Sequence, residues 1–168
     1  MYIFVTEQCN LRCEYCFEKG CNYNGGVMDE NTASNTIEYL FKETEKRNLR
    51  VKNLGFSNKD MVHVILFGGE PLLNVKVCKT ILKRLKENSE KFNIGVDVGI
   101  ITNGTLWNPE IEKFYEYWSQ NFDNVYIQLS YDGIPEIQDK NRPTITREKS
   151  SHEIIEEVSK QYISFEKS

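Results

Sequence analysis

The chain has 168 residues, of which 39% are hydrophobic and 27% charged, and its formal net charge is −4. This is the balance of a soluble globular domain that is long enough to bury one hydrophobic core. The acidic balance argues against nucleic-acid binding through general electrostatics, and no apolar run approaches the roughly 20 residues of a membrane span. Because no basic segment or cleavage site precedes the first predicted strand, we expect a cytoplasmic protein.

The first predicted strand leads directly into three cysteines. Residues 2–6 are β-branched and aromatic, which predicts a buried strand, and Cys9, Cys13 and Cys16 follow at a C-x3-C-x2-C spacing. Thiolates this close together can converge on one metal centre, and they are soft ligands that favour zinc, copper(I) or iron–sulfur clusters. The residues alone leave four alternatives: a four-iron cluster with one iron free for a substrate or cofactor, a ferredoxin-like cluster, a zinc site with a ligand elsewhere, or unrelated buried thiols.

Two further cysteines lie outside this trio. Five cysteines without a secretory signal suggest a reducing compartment and a metal role rather than disulfides. Cys21 follows the trio closely, and we interpret it as a loop thiol rather than a further ligand. Cys78 falls among apolar residues of a predicted helix, which favours a buried core thiol.

The first predicted helix follows a turn-rich stretch, with Asp29 or Asn31 as its cap. Its apolar stripe is formed by Ile37, Leu40, Phe41 and Thr44. Residues 46–60 are polar and mixed, and they are interpreted as a connection. Residues 62–67 form a continuous apolar run, typical of a strand covered on both faces, in which His63 is interpreted as a packed or edge residue rather than a ligand.

The remaining elements repeat the alternation of strand and helix. A helix with an apolar face from Val75 to Leu85 precedes a strand over residues 94–101. The next helix carries an aromatic stripe, interpreted as core, formed by Ile111, Phe114, Tyr115, Trp118 and Phe122. A strand over residues 125–129, a polar connection through Arg142 and a last helix capped by Ser150 or Ser151 complete the series.

About four strand–helix units in succession predict an α/β fold with a parallel sheet and right-handed crossovers. Every predicted strand ends in small, polar or cysteine residues, so the distinctive loops fall on one edge of the sheet. Gly68 and Gly69 would let backbone approach a ligand closely, and the Glu70 carboxylate can hold an ammonium group. Ser130 and Asp132 can hold hydroxyl or amino groups, and Arg142 can either clamp a carboxylate or be a solvated surface residue. Taken singly, Gly-Gly-Glu-Pro, Asn103-Gly104 and Asp132-Gly133 are also typical of tight turns, and we interpret Asn103-Gly104 as a turn.

The ordered set of strand-end motifs resembles the radical SAM (S-adenosylmethionine) superfamily. The set comprises the cysteine trio with Tyr15 before its third member, then Gly-Gly-Glu-Pro at 68–71, Thr-Asn-Gly-Thr at 102–105 and Ser-Tyr-Asp-Gly at 130–133. More narrowly, it is similar to the SPASM-type branch, which includes anaerobic sulfatase-maturating enzymes and peptide maturases. The resemblance implies a partial (β/α) TIM-like barrel, with residues 1–168 forming the N-terminal portion, about four βα units, of a (β/α)6 radical SAM core domain.

The cofactor assignments follow from the resemblance alone. Cys9, Cys13 and Cys16 would ligate three irons of a [4Fe–4S] cluster, whose fourth iron would take the amino and carboxylate groups of S-adenosylmethionine. Further cofactor contacts are implied at seven positions: Tyr15, Gly68, Gly69, Glu70, Ser130, Asp132 and Arg142.

The roles of these seven positions are assigned by the motif that each one matches. Tyr15 would lie against the adenine, and residues 68–70 would receive the methionyl ammonium. Ser130 and Arg142 would contact the ribose or carboxylate, and the role of Asp132 is less defined.

The implied reaction is reductive cleavage of S-adenosylmethionine to methionine and a 5′-deoxyadenosyl radical, which abstracts hydrogen from a peptide or protein substrate. An electron donor such as flavodoxin or ferredoxin would be a partner, while nucleic acid and membrane are not expected. Cofactor and cluster carry the hard chemistry, so no catalytic side chain is nominated. Two alternatives remain, namely a non-catalytic metal- or cluster-binding fragment and a radical SAM enzyme acting on a small molecule.

The chain departs from the family pattern in two respects. Gln138-Asp139 stands where many relatives have His-Asp after the Asp-Gly turn. Family members also have about six βα units and a second domain, and no cysteine-rich region follows Cys78, so we expect no auxiliary cluster on these residues. A four-unit half barrel is expected to leave an open sheet edge and an exposed inner face.

Overall fold

The computed structural model describes residues 1–18, 25–55, 61–146 and 148–165. Strands and helices alternate along these residues, with one short 3-10 helix, Pro71–Asn74, before the second long helix. The order is β1 (Tyr2–Thr6), α1 (Glu30–Asn53), β2 (Val62–Gly68), α2 (Val75–Phe92), β3 (Val96–Thr102), α3 (Pro109–Ser119), β4 (Asn124–Leu129), α4 (Pro135–Asn141) and α5 (Ser151–Phe165).

The four strands form one parallel sheet in the order β1-β2-β3-β4, which confirms the predicted fold class. Alternate strand residues, such as Ile3, Val64 and Val98, are buried beneath the helices. Side chains such as Ile37 of α1 and Ile81 of α2 complete this core. Because parallel strands share one direction, their carboxyl ends meet at one edge of the sheet, and the strand-end motifs meet there too.

The opposite face of the sheet is partly exposed and aromatic. Tyr2 and Phe4 of β1 are 57% and 45% exposed, and Tyr126 of β4 is 42% exposed. The Phe67 ring packs edge-on against both β1 rings, with centroid distances of 5.8 Å to Tyr2 and 4.9 Å to Phe4. This is the face that would point inward in a closed barrel.

The helix caps distinguish between residues that the sequence left as alternatives. The Asp29 carboxylate accepts a hydrogen bond from the Thr32 N–H at 2.7 Å, so Asp29 and not Asn31 caps α1. At α5 the Ser150 hydroxyl accepts from the Glu153 N–H, and the Glu153 carboxylate accepts from the Ser150 N–H. This reciprocal pair is a capping box, so Ser150 is the cap.

The structure corrects the sequence predictions in three places. Helix α1 continues to Asn53, although residues 46–60 were expected to be a connection. Lys, Glu and Arg are good helix formers even where most side chains are exposed, as they are in this last part of α1. Residues 56–60 lie outside the described part. Helix α3 ends at Ser119, so Phe122 follows it, and the polar connection before Arg142 contains α4, with Pro135 at its first turn.

Two smaller predictions concern Cys78 and membrane spans. Cys78 of α2 is fully buried in the core between the helices and the sheet, as expected of a core thiol. Within the four described ranges, no helix has the length and apolar character needed to cross a membrane. Cys21 lies outside the described residues.

Candidate functional site

The three cysteines of the cysteine loop, residues 7–18, line one cavity at the carboxyl ends of the strands. Cys9, Cys13 and Cys16 are free thiols and are half-buried. The cavity has a volume of about 440 Å³, which is within the range of small-molecule sites. Its walls also contain five of the predicted cofactor residues, namely Tyr15, Gly68, Gly69, Ser130 and Arg142. Residues far apart in the sequence are therefore brought to one site.

The cysteine loop has no regular secondary structure, yet hydrogen bonds hold its start and its middle. Next to β1, the Gln8 N–H donates to the Thr6 hydroxyl at 3.1 Å. Further along, the Arg12 N–H donates to the Pro143 carbonyl at 2.9 Å, and the Glu14 N–H donates to the Asn141 carbonyl at 2.8 Å. The loop is thus fixed against β1 and against the segment that follows α4.

The glycine pair at the end of β2 touches the start of the cysteine loop. A Cβ atom built on Gly68, where φ is +134°, would lie 2.1 Å from the Thr6 carbonyl oxygen, and one built on Gly69 would lie 2.3 Å from the Gln8 carbonyl oxygen. The Gly69 N–H donates to the Thr6 carbonyl at 2.9 Å, and the Glu70 N–H donates to the Gln8 carbonyl at 2.8 Å. The pair was expected to allow close approach of a ligand; it lines the cavity and also allows close approach of two backbone segments.

Glu70 is fully buried, and its carboxylate is held inside the protein. One carboxylate oxygen accepts hydrogen bonds from the Leu72 N–H and the Thr102 hydroxyl, and the other accepts from the Asn103 N–H. Burial raises the pKa of Glu70 and outweighs the opposing effect of these donors. Glu70 is not among the described residues that line the cavity. Its side chain joins the ends of β2 and β3, and a role towards a cofactor stays a prediction.

Asn103, at the end of β3, was interpreted as part of a tight turn but lies beside the cysteines. It is only 6% exposed, and its Nδ2 donates to the Asn10 side-chain oxygen at 2.9 Å and lies 3.9 Å from Cys9 Sγ. Its side-chain oxygen accepts from the backbone and hydroxyl of Thr105. The only sequence feature that could have predicted this contact was the place of Asn103 in the ordered set of strand-end motifs. The dipeptide Asn-Gly after a strand is equally typical of a simple turn.

A hydrogen-bonded cluster connects the middle of the cysteine loop with residues beyond β4. The Asp132 carboxylate accepts from the Tyr15 hydroxyl at 2.7 Å and from Arg142 Nε at 2.8 Å. The Arg142 guanidinium lies 5.2 Å from the centroid of the Tyr15 ring. Burial pushes the pKa of Asp132 upward, but the hydrogen bonds from Tyr15 and Arg142 hold it below its ordinary value. Asp132 is not among the described cavity-lining residues, whereas Tyr15 and Arg142 are.

Gln138 and Asp139, which stand where many relatives have His-Asp, connect two segments of the fold by hydrogen bonds. Gln138 is fully buried, its side-chain oxygen accepts from the Asp132 N–H at 2.8 Å, and its side-chain nitrogen donates to the Ser151 hydroxyl at 3.2 Å. Asp139 accepts from the His152 N–H at 2.8 Å. The pair therefore attaches the turn after β4 to the first turn of α5.

The thiol environment bears on which metal group the cysteines could hold. Burial raises the pKa of Cys9 to about 11, and burial also raises the pKa of Cys13. Metal binding by these thiols would therefore release protons. In the described part of the chain, no three His, Cys, Asp or Glu side chains converge closely enough to hold one metal ion. Three soft thiolates that line one cavity are a donor set that fits an iron–sulfur cluster, in which each thiolate would bind a different iron.

Two aromatic residues line the cavity on the side of the exposed sheet face. Phe17, directly after the third cysteine, stacks on Phe67 with a centroid distance of 6.2 Å and an interplanar angle of 8°. Both rings line the cavity, together with Arg12 and Asn103. None of these four residues was predicted as a site residue, because a single aromatic or polar residue carries no signal in the sequence until its neighbours are known.

Comparison with known proteins identifies relatives of this chain. The model of the radical SAM superfamily matches residues 3–163. An uncharacterized protein of Methanocaldococcus jannaschii is 35% identical over 83% of this chain and 40% of its own length. A cysteine-type anaerobic sulfatase-maturating enzyme of Clostridium novyi is 29% identical over 92% of this chain and 37% of its own length. A GTP 3′,8-cyclase of Clostridium botulinum is 28% identical over 94% of this chain and 41% of its own length.

The fold also matches solved structures. The structure of native anSMEcpe with bound AdoMet and Cp18Cys peptide superposes with a TM-score of 0.73 at 20% identity, covering 98% of this chain and 39% of that chain. At this identity the match supports the fold alone. The chain spans between 37% and 41% of the length of these four proteins.

Proposed function

The chain belongs to the radical SAM superfamily, and on that premise we propose that it binds a [4Fe–4S] cluster through Cys9, Cys13 and Cys16 and S-adenosylmethionine in the adjoining cavity. The observation that carries the proposal is the convergence of the three free thiols with residues from the ends of β2 and β4 on one cavity of about 440 Å³. A soft, three-thiolate ligand set suits iron and sulfide, and it leaves one iron for the cofactor.

The protein's own residues would bind and orient the two groups. Arg142 offers a planar, permanently charged fork that suits a carboxylate, and Ser130 offers a hydroxyl on the same wall. Gly68 and Gly69 expose backbone to the cavity without intervening side chains. The stacked rings of Phe17 and Phe67 would form an apolar wall beside the cysteines. When bound, the cluster and S-adenosylmethionine would supply the chemistry, namely reductive cleavage of S-adenosylmethionine to methionine and a 5′-deoxyadenosyl radical that abstracts hydrogen from the substrate.

We propose a peptide or protein side chain as the substrate and a flavodoxin or ferredoxin as the electron donor. The sulfatase-maturating relative matches 92% of this chain, which supports a peptide substrate. A small-molecule substrate is the second candidate, favoured by the GTP 3′,8-cyclase that matches 94% of the chain. Incubation of the reduced protein with cysteine-containing peptides or with nucleotides, followed by mass spectrometry, would distinguish the two.

The decisive experiment is anaerobic reconstitution with iron and sulfide, followed by electron paramagnetic resonance of the reduced protein. We expect a [4Fe–4S] signal that changes when S-adenosylmethionine is added and that is absent in Cys13→Ala. The matched control is Cys78→Ala, because Cys78 is a free thiol in the core and is not a wall of the cavity. Tetrahedral zinc without acid-labile sulfide, or a cluster that is unaffected by the cofactor, would refute the proposal in favour of a non-catalytic metal-binding protein.

A further inference from the structure

Asp132 has the geometry of a structural anchor rather than of a ligand contact. The Tyr15 hydroxyl lies 2.7 Å from both of its carboxylate oxygens. Arg142 Nε donates to Oδ1 at 2.8 Å, and Asn141 Nδ2 donates to Oδ2 at 3.2 Å. Three donors therefore surround the two oxygens, because the single hydroxyl hydrogen of Tyr15 serves only one oxygen at a time. Asp132 is also not among the described residues that line the cavity, whereas Tyr15 and Arg142 are.

The donors come from the two segments that the backbone also joins. Tyr15 lies in the cysteine loop, between Cys13 and Cys16, whereas Asn141 and Arg142 end α4. The Arg12 and Glu14 backbone hydrogen bonds to residues 143 and 141 lie on either side of Cys13. The carboxylate therefore reinforces the contact that holds the middle of the loop.

The backbone of Asp132 is also held in place by a hydrogen bond. The Asp132 N–H donates to the buried Gln138 side chain, which is attached to Ser151 at the start of α5. The side chains of Asp132 and Arg142 are each 15% exposed, so their ion pair is shielded from water more than a surface pair. Loss of one partner from such a pair leaves an uncompensated charge and weakens the whole contact.

We propose that Asp132 is a positioning residue, which binds no cofactor itself but holds the cysteine loop through Tyr15 and Arg142 so that Cys13 and Cys16 are placed for cluster assembly. The part concerning cluster assembly rests on the proposed function, whereas the anchoring of the loop does not. Charge-assisted hydrogen bonds from two donors make this contact stronger than the neutral backbone bonds beside it.

Amide hydrogen exchange of the metal-free protein, followed by mass spectrometry of peptides covering residues 10–17, tests the anchor. In Asp132→Asn we expect these amides to exchange about tenfold faster than in the wild type, the effect of losing roughly one charge-assisted hydrogen bond. Tyr15→Phe should have a smaller effect, and the double variant should exchange no faster than Asp132→Asn, since both changes remove the same contact.

The matched control is Asp97→Asn. Asp97 lies near the amino-terminal end of β3, whereas the cysteine loop lies at the carboxyl ends of the strands. Asp97 also accepts two side-chain contacts, from His63 at 2.8 Å and Asn124 at 2.7 Å, but it is remote from the cysteine loop. We expect exchange in residues 10–17 to be unchanged in this variant. Wild-type exchange in Asp132→Asn, or strictly additive effects of Asp132→Asn and Tyr15→Phe, would overturn the proposal.

A second readout separates positioning from ligand binding. In Asp132→Asn we expect reconstitution of the cluster to be slowed about tenfold in the absence of S-adenosylmethionine, where loss of a mere cofactor contact would have no effect. Unchanged reconstitution with weakened cofactor binding would overturn the proposal and make Asp132 a cofactor contact. If the wild type binds no cluster, the proposed function fails, and the exchange experiment still decides whether Asp132 anchors the loop.

Discussion

Replacement of Gly69 by alanine tests how the glycine pair supports the site. The new Cβ would lie 2.3 Å from the Gln8 carbonyl oxygen and 2.7 Å from the Glu7 carbonyl oxygen. Both are backbone atoms, so the strain cannot be relieved by rotating a side chain, and the start of the cysteine loop must move. Overpacking of this kind costs about 1–3 kcal/mol.

The displacement would also weaken the two backbone hydrogen bonds that join the segments, from Gly69 to Thr6 and from Glu70 to Gln8. Each contributes about 1 kcal/mol. We therefore expect Gly69→Ala to lower the free energy of unfolding by about 3 kcal/mol, since both effects act together. Urea denaturation of the metal-free, reduced chain, followed by circular dichroism, measures this loss.

Gly55→Ala is the matched control. Gly55 has a φ of +85°, but among the described residues no non-neighbouring atom lies within 4 Å of the position that its Cβ would occupy. Backbone strain alone should cost about 1 kcal/mol there. If Gly69→Ala lost no more stability than Gly55→Ala, the close approach of the two backbones could not be the reason for glycine at position 69.

Three further predictions concern ionisation and capping. Burial raises the pKa of Glu70 above 4.5, so the free energy of unfolding of the wild type, relative to that of Glu70→Gln, should fall as the pH rises from about 4.5 through the raised pKa. Urea titrations at several pH values measure this difference. A rise instead of a fall would show that the hydrogen bonds to the carboxylate outweigh burial. Asp29→Ala should lose about 1 kcal/mol of stability through the α1 cap, and Asn31→Ala much less, in the same denaturation assay; equal losses would contradict the assignment of the cap. Burial raises the pKa of Cys9 to about 11 and of Cys78 to about 12, so at pH 8 both should be alkylated roughly 100-fold or more slowly than a free small thiol, as read by mass spectrometry, and a rate equal to that thiol would refute the burial argument.

Some of the residues that line the cavity could be predicted from the order of motifs in the sequence, and others could not. The cysteine trio, Gly68, Gly69 and Ser130 were nominated because each closes a predicted strand, and parallel strands bring their carboxyl ends to one edge whatever the details of packing. Asn103 closes a strand as well, but its contact with Cys9 and Asn10 depends on the distance between two loops. That distance is not encoded in either loop alone.

The sequence by itself determined the alternation of strand and helix, the parallel sheet and the position of the cysteine loop. Apolar runs, turn residues and motif order are local properties, and the strand bounds that they predicted agree with the structure to within about two residues. Helix α1 shows the limit of local reasoning, because a solvated helix and a polar connection have the same composition.

Only the tertiary structure decided what the charged residues of the site contact. From the sequence, Glu70 and Asp132 were both candidates for cofactor contacts, and only Glu70 had a defined role. The fold buries Glu70 between β2 and β3, with three donors around its carboxylate, and it surrounds Asp132 with Tyr15, Asn141 and Arg142. A carboxylate accepts from whichever donors surround it, and those donors come from segments that are distant in the sequence and meet only when the sheet has formed.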